Sequence, residues 1–287
     1  MKNLYLKLKM KKIKFLLIIC CSASFAQIQT PQSSPKASIN QTVGLTKVKV
    51  EYSRPAMRGR IIMGDLVPFG EIWRTGANAN TIISFSDDVK VGGKSLKAGK
   101  YSIFSRPGIS MWEVFFYNKY DNWNLPDKWD IDSVAAVVEI ETQKLKQIKE
   151  HFTISIDNLS NQGATINLEW ENTRISVPFE VPTDEKTMAS INSIMQGEPK
   201  ARDYYGAAIY FRESGRDLQK AKKWISTAID MDGGKYWMYR QQALILAQLN
   251  EKDAAILASK NSLRLAKEAG NQDYVLLNNK FISEWSK

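Results

Sequence analysis

The sequence predicts an α+β protein in two parts, an antiparallel β-sandwich over 39–182 followed by an all-α stack of helical hairpins over 183–287. Two observations carry this. Up to Val181 the apolar residues recur every second position, which gives a strand one buried face and one wet face. After Pro182 they recur every three or four, as in Leu218, Ala221, Ile225 and Ala228, which gathers them on one helical face. Strands first and helices afterwards, without alternation, argue against a parallel βαβ sheet.

The first 26 residues form an expected signal peptide. Six lysines and no acid precede an apolar run from Phe15 to Cys21, and Ser24-Phe25-Ala26 supplies the small residues of a cleavage site. The run is far short of the roughly 20 apolar residues of a membrane span, so cleavage near Ala26 and export to the periplasm or beyond are expected, with no transmembrane segment. Met10 is a second candidate start. Residues 27–38, rich in Gln, Ser, Thr and Pro, are expected to be a flexible tether.

Losing the leader changes the electrostatics. Of 40 basic residues six depart, leaving 34 against 30 acids, so the excess of +10 falls to +4. Nucleic-acid binding, which needs a concentrated basic face, loses its main support. Cys20 and Cys21 also depart, so the mature chain has no thiol for a disulfide, a metal or a nucleophile. With one histidine, His151, it lacks the usual zinc ligand sets, and His151 has no accompanying nucleophile motif. No catalytic residue, metal site or cofactor is expected.

The sandwich is expected to hold eight or nine short strands. Val48-Val50-Tyr52, Phe152-Ile154-Ile156, Ile166-Leu168-Trp170 and Ile175-Val177-Phe179-Val181 alternate with polar residues. Gly92-Gly93, Pro107-Gly108 and Asn161-Gln162-Gly163 mark turns. Pro178 cannot donate to a ladder, which places it at an edge or a bulge. In the second part Asp184, Asp203, Asp217 and Asp253 stand where N-caps belong, and Gly215, Gly233 and Gly270 where helices stop. Ala221 and Ala228 are echoed 34 residues on by Ala255 and Ser262, the period of a tetratricopeptide-like repeat. Stacks of this kind present surfaces to other proteins.

Tyr52-Ser-Arg-Pro-Ala-Met-Arg-Gly-Arg and Leu66-Val-Pro-Phe-Gly-Glu-Ile-Trp-Arg-Thr-Gly-Ala-Asn are distinctive. With Val91-Gly-Gly-Lys-Ser-Leu-Lys-Ala-Gly-Lys-Tyr-Ser and Leu168-Glu-Trp-Glu-Asn-Thr-Arg-Ile-Ser-Val-Pro-Phe, the chain resembles an exported bacterial family, domain of unknown function 2911, over about residues 31–182. The resemblance implies the sandwich, export and a helical tail, and assigns no activity.

Two polar clusters are candidate ligand sites. Arg54, Arg60, Arg74 and Asn78 beside Trp73 could recognise an acidic small ligand, because guanidinium forks grip carboxylates at two points. The competing reading gives them structural work, with Arg74 paired to Glu51 or Glu71. In the loop from Tyr117 to Asp132, Trp123 and Trp129 among amides and carboxylates suit a carbohydrate, or pack over the core. The expected function is an exported, non-enzymatic binding protein that engages a protein partner through its helices. The alternative is a carbohydrate-active hydrolase or lyase using carboxylates near the aromatic loop.

Overall fold

A computed structural model describes residues 30–120 and 123–286. The expected signal peptide and the first residues of the expected tether lie outside the described residues.

Ten strands form the first part: β1 (Lys36–Val43), β2 (Thr46–Ser53), β3 (Thr81–Phe85), β4 (Val89–Val91), β5 (Lys94–Leu96), β6 (Gly99–Arg106), β7 (Met111–Tyr117), β8 (Val134–Glu141), β9 (Gln143–Asp157) and β10 (Gly163–Glu180). Neighbours are antiparallel, in two sheets of order β1-β2-β3-β6-β7-β8 and β5-β4-β10-β9. The alternating residues do what their spacing asks. Val50, Ile83, Ile103 and Phe116 of the first sheet share a core with Phe152, Ile166, Ile175 and Phe179 of the second. Each such side chain removed from water contributes about 1.5–3 kcal/mol. The outer face of the first sheet has its own small core, Phe104, Phe115 and Tyr117, covered by Ile72 and Trp129.

The structure differs from the expectation in strand length. β9 and β10 run 15 and 18 residues. The runs ending in Trp170 and beginning at Ile175 belong to one extended stretch, bent where Glu171 adopts φ 54°. The bend switches the buried set from even positions to odd, and it brings the end of β10 beside its beginning: the Val181 N–H donates to the Gln162 carbonyl at 2.9 Å. Next to Pro178, Phe179 and Glu180 pair with Val91 and Lys90, and the Pro178 carbonyl accepts from Gly92. β1 starts inside the stretch read as a tether, because the ladder with β2 extends to Lys36 opposite Ser53.

Six helices follow: α1 (Thr183–Met195), α2 (Ala201–Glu213), α3 (Leu218–Asp232), α4 (Tyr236–Gln248), α5 (Lys252–Glu268) and α6 (Gln272–Trp285). Of the four aspartates expected at N-caps, Asp217 caps α3 by accepting from the Lys220 N–H. Asp184, Asp203 and Asp253 sit two or three residues past the cap, where a carboxylate still complements the helix dipole. Gly233 ends α3 in the left-handed conformation.

α2 packs on α3 and α4 on α5, and α2 and α6 both touch α4. Thus α2, α4 and α6 form one layer, backed by α3 and α5. Ala221, Ala228, Ala255 and Ser262 are fully buried between layers, where small side chains let helices approach closely. Ser262 has a second role. Its hydroxyl donates to the Tyr236 carbonyl and accepts from Asn278, whose amide oxygen accepts from Ser259. Asn278→Ala leaves two buried hydroxyls short of partners and should cost about 1–3 kcal/mol; denaturant unfolding with unchanged stability would contradict this network's role.

Sheets and helices are joined by the Leu45 N–H on the Thr183 hydroxyl, 3.3 Å, and by the Lys186–Asp87 ion pair, 2.6 Å. The hydrogen bond from Lys186, opposed by burial and helped by Ser86 and Thr46, holds the Asp87 carboxyl below its ordinary value of 3.8. A depressed carboxyl stabilises the fold above its unfolded pKa and loses that contribution as pH falls through the folded value. The junction should therefore loosen only in acid. An NMR titration of Asp87 with a midpoint below 3.8 is expected; a midpoint at or above that value would show the pair to be absent.

Candidate functional site

The first candidate cluster lies on the long crossover between β2 and β3. Trp73 bridges to Ser105 of β6 by two backbone hydrogen bonds, 2.7 and 2.9 Å. Its ring stacks on Trp170 at 5.8 Å and meets Phe152 and Trp112 edge-on at 5.1 and 6.3 Å. Thr75 (φ 53°) and Gly76 (φ 145°) fold the following turn tightly. The Thr75 hydroxyl lies 2.9 Å from that of Ser105, and the Thr75 carbonyl accepts from Thr81. The segment is a clasp that pins the crossover over the open end of the aromatic core.

The arginines of the cluster reach the chain itself. Arg54 donates to the Phe152 carbonyl (3.1 Å) and the Thr153 hydroxyl (2.7 Å). Arg60 donates to the carbonyls of Met57 and Ala56. Arg74 donates to the Asn78 carbonyl and to Asn124, rather than to Glu51 or Glu71, and Asn78 donates to the Ser34 carbonyl. A ligand here would compete with these bonds.

In the aromatic loop the two tryptophans part company. Trp129 packs on Phe104, Phe115 and Tyr117 at 5.0–5.6 Å, whereas Trp123 is 64% exposed. Asp130 bonds Lys119 and Ser133, and these bonds draw its carboxyl down to about 2. A group so acidic is ionised at neutral pH and is no proton donor there.

A cleft of about 540 Å³ lies between the β4–β5 hairpin and the start of α1. Its charges are of both signs, with Lys97 on Asp88 at 2.8 Å and Asp184 on Arg216. Tyr210 also donates to Asp184, at 2.7 Å.

The layer made by α2, α4 and α6 holds one arginine that makes no ion pair, Arg240. Arg240, in the middle of α4, places its guanidinium 5.0 Å from the Phe281 ring centre. Among the described residues, buried Nη1 of Arg240, Nε of Arg212 and Oε1 of Gln241 have no hydrogen-bond partner. Burial lowers the Arg240 pKa, Tyr274 and Glu284 act against the shift, and the nearby Arg212 charge adds to it. Tyr205 is raised by burial and by Tyr274, with Arg212 opposing. Arg212 has one anchor, Glu213 at 2.6 Å, and its side chain is 15% exposed.

A family profile described as protein of unknown function (DUF2911) matches residues 34–179, just over half of the chain. The chain belongs to that family. No curated protein and no solved structure matches it. The DUF2911 match ends one residue short of the end of β10, so it takes in the clasp, the aromatic loop and both sheets and stops before the helices. Arg212 and Arg240 therefore lie outside the DUF2911 segment. Among the described residues no helix is long and apolar enough to cross a membrane, and no group of three or more His, Cys, Asp or Glu side chains is placed to hold a metal.

Proposed function

We propose that this DUF2911 member is an exported, non-enzymatic interaction protein whose α2–α4–α6 layer receives a protein partner. The observation that carries the reading is the buried, unpartnered Nη1 of Arg240 beside aromatic rings. An unmet buried donor costs about 1–3 kcal/mol, more when it is charged, and a fold keeps such a group where something else supplies the acceptor. Arginine and aromatic side chains are also the types that dominate protein interfaces. The sheets serve as a base joined to the helices through Thr183 and Lys186 of α1.

Photo-crosslinking from Leu277, exposed on α6, tests this in the native cell envelope, with Leu257 on α5 as the comparison. Adducts to one protein from Leu277 and none from Leu257 are expected; equal or no adducts from both would remove the reading. Export is tested separately, since the mature protein should begin at Gln27 by N-terminal sequencing, and an uncleaved cytosolic form would contradict it. A second reading, carbohydrate contact at the aromatic loop, is favoured by the exposed Trp123 ring. Trp123→Ala should then abolish retardation of the protein in glycan-containing gels, and unaltered migration would remove it.

A further inference from the structure

The cleft between the β4–β5 hairpin and α1 stands apart from the helical layer, and its charges are not balanced within the protein. Its volume of about 540 Å³ falls in the roughly 300–1,000 Å³ range of small-ligand pockets. The floor is apolar, made by buried Val89, Leu96 and Val181. The rim carries six charged side chains, and they divide in two. Asp88 is taken by Lys97, and Asp184 by Arg216. Lys90, Glu180 and Glu185 are exposed and make no ion pair among the described residues, although Lys90 and Glu180 lie opposite each other in the ladder of β4 and β10. The cleft therefore offers two unmatched carboxylates and one unmatched ammonium around an aliphatic floor.

We infer that this cleft binds a diamino acid of the lysine type. Its two ammonium groups would meet Glu180 and Glu185, its carboxylate Lys90, and its methylene stem the floor at Leu96 and Val181. The pattern of charge selects this class. A dicarboxylate would bring two negative charges to a rim that already has one acid in excess. A diamine would leave Lys90 unmatched, and an uncharged apolar ligand would take water from all three heads and return no hydrogen bond. Each head is free in the protein, so the ligand gains charge-assisted hydrogen bonds without breaking any. Lys90 and Glu180 belong to the sheets and Glu185 to α1, so the bound ligand spans the junction beside the Lys186–Asp87 pair.

The test is calorimetric titration of the mature full-length protein with L-lysine, L-norleucine and cadaverine. Norleucine keeps the stem and lacks the second ammonium; cadaverine keeps both ammonium groups and lacks the carboxylate. Lysine should bind, and each of the other two about tenfold or more weaker. Lys90→Gln should bring lysine down to the affinity of cadaverine and should not weaken cadaverine. Glu180→Gln and Glu185→Gln should each weaken lysine by about tenfold. Lys94→Gln, on β5 but outside the cleft, should change nothing. All four substituted side chains are exposed, so the variants keep the fold. Absence of lysine binding would overturn the inference, as would equal affinity for the three ligands. Cadaverine binding as tightly as lysine would remove the role of Lys90 and overturn it too. So would wild-type affinity for lysine in Lys90→Gln, or in both glutamate variants.

Discussion

Trp73→Ala should destabilise the sheet domain by about 3–5 kcal/mol, the usual range for deleting a packed indole. The ring closes the end of the core against Trp170, Phe152 and Trp112, and such ring pairs add about 0.5–1.5 kcal/mol each beyond burial. Arg74→Ala, one residue on, should cost only about 1 kcal/mol, because it breaks bonds to Asn78 and Asn124 and strands no carboxylate. Thermal unfolding of the two variants separates them. A Trp73→Ala protein within about 1 kcal/mol of wild type would mean the clasp does not hold the core.

Gly44→Ala should be comparably damaging. Gly44 turns β1 into β2 at φ 53°, and a methyl there would lie 1.8 Å from the Thr183 hydroxyl oxygen and 2.4 Å from the Asn161 carbonyl oxygen. The left-handed backbone costs an alanine about 1–2 kcal/mol, and forcing the methyl in adds about 1–3 kcal/mol of overpacking. Thr183→Gly in the same chain should recover part of the second cost, since the carbonyl contact remains. Urea unfolding that shows Gly44→Ala at wild-type stability would mean that the turn and α1 do not meet as described.

The alternation of Val48-Val50-Tyr52 and of Phe152-Ile154-Ile156 was readable because a half-buried strand has no other way to satisfy both faces. The bend in β10 was not. It rests on Glu171 in a left-handed conformation, and Glu171-Asn172 carries none of the glycine that usually announces one. Asp184 and Asp203 show a related limit, since an acid in the first turn and an acid at the cap answer to the same electrostatics, and residue type alone does not choose between them. The arginines of the crossover drew attention by clustering in sequence, where the structure gives them the backbone carbonyls of a long irregular segment. Arg240 in the helical layer escaped because it meets Phe281 only through packing of separate helices. A signal was present all the same: Arg240 is the one charged residue in Tyr236–Gln248, amid tyrosine, tryptophan, methionine and leucine.

The claim that Arg240 is kept for a partner rather than for the fold is tested most directly by the stability of Arg240→Met. Methionine keeps an apolar stem and removes a half-buried charge with an unmet donor, together with the guanidinium's contact on the Phe281 ring. Differential scanning calorimetry should show an unchanged or raised melting temperature, because packed apolar atoms in place of a half-buried charge with an unmet donor are often neutral or stabilising. A clear fall in melting temperature would show that the guanidinium holds the helices together, and would contradict the account.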